Sequence, residues 1–186
     1  DFLVCDDPWF RPVDLQVGPD GALYIADFYN RIIGHYEVPL DHPGRDRERG
    51  RIWRVVYTGA RHRSPLALPG TVEELIVELK HPNLTRRMLA MDALSDRFGP
   101  EAVRPLKQVL QKTRGVEPVQ KIHAAWVLHR LGALEESTLR KLARDSNREV
   151  RVHAMRIASE TANWTSKLHG VVLTALNDSD PYVKRA

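Results

Sequence analysis

Residues 147–154 read NREVRVHA, and this stretch decides the fold because its pattern recurs along the chain. The related segments are NLTRRMLA at 83–90, EPVQKIHA at 117–124 and DPYVKRA at 180–186. The fifth residue of each segment is basic, and these residues are spaced 34, 30 and 33 positions apart: Arg87, Lys121, Arg151 and Lys184. A period of this length predicts an array of similar structural units.

A second series keeps the same spacing and predicts that each unit is a pair of helices. Its members are Leu75, Val109, Leu139 and Val172. Apolar residues at a helical period follow each basic residue, so we expect second helices to start near residues 83, 117, 147 and 180. Small side chains there let a paired helix approach closely, and they are expected to be buried: Ala90, Ala124 and Ala154. The pattern resembles HEAT repeats, and residues 61–186 are expected to form a HEAT-like α-solenoid of about three and a half repeats.

The first 60 residues have a different period and predict a small domain with an antiparallel sheet. Residues 13–17 and 22–27 alternate apolar and polar side chains around a Gly-Pro-Asp-Gly turn at 18–21, which is typical of a hairpin. Residues 31–36 form a weaker candidate strand, and 51–57 form a strong one, rich in β-branched and aromatic residues. The chain is therefore predicted to be mainly α, with a small N-terminal sheet.

The N-terminal domain resembles a known architecture in three segments, 10–15, 18–27 and 50–55. They resemble the last blade of a six-bladed β-propeller of the soluble sugar-dehydrogenase or NHL type. The wider stretch of residues 8–57, especially 27–37, is similar to the planctomycete-type membrane-bound dehydrogenase family. Proteins of that family join a propeller, HEAT repeats and a haem-binding CxxCH domain in one long chain.

The resemblance implies a dehydrogenase parent with haem c, located in the periplasm or cell envelope. Cys5 is the only cysteine, so this chain has no CxxCH motif, and we expect no cofactor and no catalytic residue in it. A propeller pocket also needs residues from several blades. The opening DFLVC has no initiator Met and no signal-peptide pattern, and we interpret the chain as an internal segment of a longer protein. No apolar run approaches the roughly 18–20 residues of a membrane span.

Two groups in the N-terminal domain are candidates for a site. Asp27, Asn30, Arg31 and His35 follow the second strand and offer a polar contribution to a substrate, cofactor or cation site. The alternative is that Asp27 and Asn30 cap a turn by accepting nearby backbone N–H groups. The aromatic set could form a sugar-stacking platform, but core packing is the stronger interpretation; its members are Trp9, Tyr24, Trp53 and Tyr57.

The helical domain offers three candidate sets. The basic series of Arg87, Lys121, Arg151 and Lys184 either binds a polyanion or pairs with turn carboxylates such as Asp145 and Asp178. Equivalent positions in successive repeats place Asp92, Trp126 and Arg156 in a row, similar to the groove of HEAT-like DNA glycosylases, and we expect them to be exposed. His123 and His153 are also equivalent, but neither has the neighbouring ligands that a zinc site needs.

These observations lead to one functional hypothesis and two alternatives. The chain is expected to be a non-catalytic scaffold within a larger propeller–HEAT protein of dehydrogenase type, binding a protein partner or neighbouring domains. The first alternative is a part of an active oxidoreductase whose pocket needs further blades. The second is a polyanion-binding or DNA-binding protein; however, a net charge of +4 is a modest excess, so nucleic acid is not the expected partner.

Overall fold

A computed structural model describes residues 2–34, 36–59, 67–112 and 114–186 of the protein. Contacts within the chain separate it into two units, residues 1–66 and 67–186. The first unit carries the strands and the second carries the helices. The prediction of a mainly α chain with a small N-terminal antiparallel sheet is confirmed.

The sheet of the N-terminal unit contains three antiparallel strands in the order β1-β2-β3. They are β1 (Pro12–Val17), β2 (Leu23–Asp27) and β3 (Arg51–Val55). Gly21 has φ 79°, a conformation that glycine adopts without steric cost, and it turns the chain from β1 into β2. The register places Leu15 opposite Ile25 and Ile25 opposite Trp53, so the central strand supplies the buried Ile25. The predicted hairpin is therefore confirmed.

The candidate strand over residues 31–36 is not formed in its described part, 31–34 and 36. The chain leaves β2 through Tyr29, whose φ of 46° lies in the left-handed region. Asn30 then accepts a hydrogen bond from the Ile32 N–H through its side chain, at 3.2 Å. This local bond holds the backbone in a turn, which competes with strand pairing at these positions.

The helical unit contains eight α-helices among the residues that the structure describes. They are α1 (Val72–Glu78), α2 (Leu84–Asp92), α3 (Pro100–Gln111), α4 (Pro118–Arg130), α5 (Glu136–Leu142), α6 (Arg148–Glu160), α7 (Ser166–Ala175) and α8 (Pro181–Arg185). A π-helical turn (Ala93–Phe98) extends α2. The second helices start within one residue of the predicted positions 83, 117, 147 and 180.

Helix capping explains these starting points. The Asn83 side chain accepts the Thr85 N–H at 2.8 Å, and the Asn147 side chain accepts the Glu149 N–H at 2.9 Å. Asp180 caps α8 by accepting the Tyr182 N–H at 2.8 Å. Helix α4 instead begins with Pro118, whose ring fixes a helical φ at the first position.

The second helices pack in series, α2 on α4, α4 on α6 and α6 on α8. Two apolar clusters form the core of the unit, one centred on α1 to α4 and the other on α4 to α8. Ala90, Ala124 and Ala154 are at most 1% exposed, as predicted, because they face the neighbouring helices at the closest approach.

The prediction that the N-terminal aromatics are core residues is wrong for two of them. Tyr57 is 78% exposed and Trp53 is 38% exposed. Both lie on or just after β3, which is an edge strand, and a three-stranded sheet can bury little of its edge.

In the helical unit, no described helix has the length and apolar character needed to cross a bilayer.

Candidate functional site

Asp27 is the polar centre of the N-terminal unit. It lies at the end of β2 and is 3% exposed. Its carboxylate accepts the backbone N–H groups of Arg11 at 2.8 Å and Tyr29 at 2.9 Å, and the indole N–H of Trp53 at 3.0 Å. Burial alone raises the pKa of Asp27, but these N–H donors outweigh it and hold the pKa below the usual 3.8. Asp27 is therefore an ionised anchor that joins three segments of the unit.

The other members of this set are divided between structural contacts and the surface. Asn30 is 2% exposed and donates to the Asp46 carbonyl at 2.7 Å, which ties the turn to the following loop. Arg31 is exposed and lines an open cavity of about 580 Å³ together with Trp9 and residues 42–49. His35 lies outside the described residues. The contacts of Asp27 and Asn30 match the turn-capping interpretation, and Arg31 remains available to a ligand.

The loop beside this cavity alternates basic and acidic residues over Arg45-Asp46-Arg47-Glu48-Arg49. Arg45 donates to the carbonyls of Pro39, Val38 and Gly34, and Arg47 donates to the Leu40 carbonyl. These guanidinium groups stabilise the loop from within, because each takes up carbonyls that the irregular backbone leaves unpaired.

In the helical unit, two of the four members of the basic series pair with carboxylates of the next helix pair, whereas Lys184 is exposed. Lys121 on α4 binds Asp145, in the turn before α6, at 2.7 Å. Arg151 on α6 binds Asp178, in the turn before α8, through two N–H···O contacts of 2.9 and 3.1 Å. Hydrogen bonding to Arg151 lowers the pKa of Asp178. Lys121 and Arg151 therefore link successive helix pairs.

Arg87 makes the same kind of link with a different acceptor. The position equivalent to Asp145 in the second repeat is Gly115, which has no side chain to offer. The Arg87 Nε instead donates to Nε2 of His123 at 3.0 Å, and its Nη1 donates to the His81 carbonyl.

The two equivalent histidines both accept a hydrogen bond from the preceding repeat. His123 accepts from Arg87, and Nδ1 of His153 accepts the indole N–H of Trp126 at 3.0 Å. A guanidinium and an indole can only donate, so the accepting nitrogen must carry a lone pair. Burial, followed by the charges of Arg87 and His153, lowers the pKa of His123 to about 4. Burial, followed by Arg156, lowers the pKa of His153.

The row of Asp92, Trp126 and Arg156 does not form one site. Asp92 pairs with Arg130 at 2.9 Å, and Trp126 bonds His153. Trp126 was predicted to be exposed, but this prediction is wrong. It is half-buried because its indole ring packs edge-on against His153. Arg156 is exposed. An acid and an aromatic ring that are bonded to neighbours do not converge on a common ligand.

The links through the histidines were not anticipated from the sequence. A signal was present, since Arg87 and His123 lie 36 positions apart and Trp126 and His153 lie 27 apart, close to one repeat. Among the described residues, no three His, Cys, Asp or Glu side chains are grouped closely enough to hold a metal ion.

Comparison with known proteins gives a family match in the N-terminal unit. A family model described as a domain of unknown function, DUF7133, matches residues 1–59, which include the sheet, Asp27 and the cavity-lining loop. No curated protein and no solved structure matches the chain.

Proposed function

We propose that the chain is a non-catalytic scaffold of a propeller–HEAT protein of dehydrogenase type, and that its HEAT-like helical unit holds a protein partner or neighbouring domains. The observation that carries the proposal is that candidate site residues of the helical unit bond to neighbouring helix pairs. Lys121, Trp126 and Arg151 each join one helix pair to the next, at 2.7–3.0 Å. Side chains committed to such links give the unit a defined shape, which is what a scaffold requires.

The electrostatics favour a protein partner over a polyanion. Lys121 and Arg151 are neutralised by Asp145 and Asp178, so the basic series does not form a continuous positive stripe. Binding to a nucleic acid backbone depends on several free cations that release counterions from the phosphates.

The scaffold proposal is tested first by searching for activity. Purified protein should reduce no dye in dye-linked assays across common sugars and alcohols, and an absorbance scan should detect no haem. Substrate-dependent dye reduction that is lost in an Arg31→Ala variant would overturn the proposal. Arg31 is chosen because it is exposed, whereas Asp27 is buried and bonds three segments of the unit, so that its replacement would change the fold as well as any site.

A second experiment separates the scaffold from a polyanion-binding protein. Fluorescence anisotropy of a labelled DNA duplex should be unchanged by the protein at physiological salt. Saturable binding that weakens in Lys121→Ala, and weakens further with added salt, would favour the polyanion alternative. The exposed Lys141→Ala is the matched control.

An oxidoreductase part is the second candidate function. The cavity of about 580 Å³ in the N-terminal unit favours it, because Trp9 and Arg31 offer an aromatic ring and a cation to a ligand. The resemblance to the dehydrogenase family would then assign haem c and the remaining pocket to other parts of the parent protein.

A further inference from the structure

We propose that the cavity of the N-terminal unit binds a small organic acid, a carboxylate with an apolar body, and that Arg31 recognises its charge. This inference goes beyond the scaffold role and does not depend on it. Three observations lead to it: two hydrogen-bond donors that the described residues leave unpaired, a positive balance of charge in the walls, and a turn that holds Arg31 in place. Every residue that lines the cavity lies between positions 9 and 49, inside the segment that the family model matches.

Arg31 and His42 supply the two donors. The Arg31 guanidinium is exposed at the cavity, and none of the described residues accepts a hydrogen bond from it. Nδ1 of His42, which also lines the cavity, accepts the Gly44 N–H at 3.0 Å. A neutral imidazole that accepts at Nδ1 carries its proton on Nε2, so His42 offers an N–H there. A guanidinium and a ring N–H together suit the oxygens of an anion, because a charged donor strengthens such bonds.

The walls of the cavity carry more positive than negative charge. Among the lining residues, four arginines stand against two carboxylates, those of Asp46 and Glu48. Asp46 is already satisfied, because it accepts the backbone N–H groups of Glu48 and Arg49 at 3.0 and 3.1 Å and the Arg49 Nε–H at 2.5 Å. The field in the cavity therefore favours an anionic occupant.

The turn that carries Arg31 is fixed by the residues on both sides of it. Asn30 is 2% exposed, and its side chain accepts the Ile32 N–H at 3.2 Å across Arg31. Tyr29 has φ 46°, which residues other than glycine rarely adopt, and the Arg51 guanidinium lies 3.3 Å from the centroid of its ring. Strained residues held by surrounding contacts are typical of ligand sites, where they position a neighbouring group before the ligand binds.

The loop that forms much of the remaining wall, residues 42–49, is stabilised by two other arginines. Arg45 donates to the carbonyls of Val38 and Pro39 at 2.6 and 2.9 Å, and Arg47 donates to the Leu40 carbonyl. These two guanidinium groups are committed to the backbone of the loop. Arg31 differs from them in this respect, so it is the arginine that we assign to the ligand.

The hydrocarbon in the walls specifies the body of the ligand. Trp9 and Ile32 are half-buried at the cavity, and Pro43 adds its ring. Ligand pockets are lined mainly by such groups, with a few polar ones that fix the orientation of the ligand. The volume of about 580 Å³ has room for a ring or short chain beside the charged group. An apolar body covers this hydrocarbon, which a bare phosphate ion does not.

NMR titration of the ¹⁵N-labelled full chain with benzoate, at constant ionic strength, tests the site. Benzamide has the same ring without the charge and is the matched probe, and inorganic phosphate represents a bare oxyanion. Benzoate should shift the amide resonances of residues 31–34 and 42–49 saturably, with a Kd on the order of 1 mM. Benzamide should bind at least about tenfold more weakly, because it lacks the charged hydrogen bond.

Variants of the wall identify the residue that recognises the charge. Arg31→Gln should weaken benzoate binding about tenfold, and Glu48→Gln should strengthen it by removing a negative charge from the wall. The exposed Arg144→Gln removes an equal positive charge from the helical unit and is the matched control, which should leave binding unchanged. The amide resonance of the buried Ile25 should keep its position in Arg31→Gln, which shows that the sheet is intact.

The absence of a saturable shift with benzoate would overturn the proposal. Equal binding of benzoate and benzamide would also overturn it, since the charge would then play no part. Phosphate that binds more tightly than benzoate would reject a ligand with an apolar body, and equal effects of Arg31→Gln and Arg144→Gln would reject the site. None of these results bears on the assays for dye reduction and DNA binding, so failure of this inference is distinguishable from failure of the scaffold role.

Discussion

Replacing His123 with glutamine should make the stability of the helical unit less sensitive to acid. Nε2 of His123 accepts from Arg87, and Nδ1 lies 2.8 Å from the Met91 sulfur, so both nitrogens are used by the neutral ring. A glutamine amide can also accept from Arg87 and donate to the sulfur, but it does not titrate. The variant therefore keeps the contacts and removes the protonation.

The magnitude follows from the pKa of His123, which is lowered from 6.5 to about 4 in the folded chain. As the pH falls, the unfolded chain binds this proton first, so the stability contributed by His123 is full above pH 6.5 and is lost between pH 6.5 and about 4. At about 1.4 kcal/mol for each pH unit, the loss amounts to at most about 3 kcal/mol.

Urea unfolding followed by far-UV circular dichroism, at several pH values across this window, measures the effect. The free energy of unfolding of the wild type should fall more steeply than that of His123→Gln. His169→Gln, which removes an exposed histidine, is the control and should follow the wild type. Parallel curves for the wild type and His123→Gln would refute the argument that the fold requires a neutral ring.

Three further predictions concern packing, capping and the N-terminal anchor. Ala154→Leu should cost about 1–3 kcal/mol of unfolding free energy by overpacking a helix contact, whereas the exposed Ala162→Leu should cost little. Asn147→Ala should cost about 1 kcal/mol by removing the cap of α6, with Asn163→Ala as the exposed control. Asp27→Asn should speed limited proteolysis of the N-terminal unit above pH 4, where the wild-type carboxylate is ionised. Because the pKa of Asp27 is lowered in the folded chain, the stabilisation by this carboxylate is lost as the pH falls below 4, and the difference between the cleavage rates of variant and wild type should shrink there. An unchanged cleavage rate would contradict the role of Asp27 as an anchor.

The fold was largely predictable because two independent series of residues recur in the sequence with the same spacing. The series through Arg87 and the series through Leu75 keep the same spacing, and helices starting near the predicted residues follow from it. The weaker strand at 31–36 was not predictable in this way. Its alternation is short, and the buried side chain of Asn30 decides the backbone there, which requires knowledge of the distant Asp46 carbonyl.

The contacts of the candidate site were predictable only where charges decide them. The pairing of Lys121 with Asp145 and of Arg151 with Asp178 was among the alternatives, since opposite charges recur at repeat spacing. The link from Trp126 to His153 depends on which tautomer a half-buried ring adopts, and a sequence pattern does not carry that information. The exposure of Tyr57 likewise depends on what covers the edge of a sheet.

The π-helical turn at Ala93–Phe98 has a consequence for how the helix pairs are aligned with one another. Each ring of a π-helix closes one residue later than in an α-helix, and the Gly99 N–H indeed bonds the Leu94 carbonyl, five residues back. Arg87 and Val109 are 22 positions apart, whereas Arg151 and Val172 are 21 apart. Lys121 and Leu139 are only 18 apart, so the separation between the two series changes from one helix pair to the next. An alignment with a fixed module length would therefore place successive helix pairs out of phase, and a search for related modules should allow gaps between the second helix of one pair and the first helix of the next.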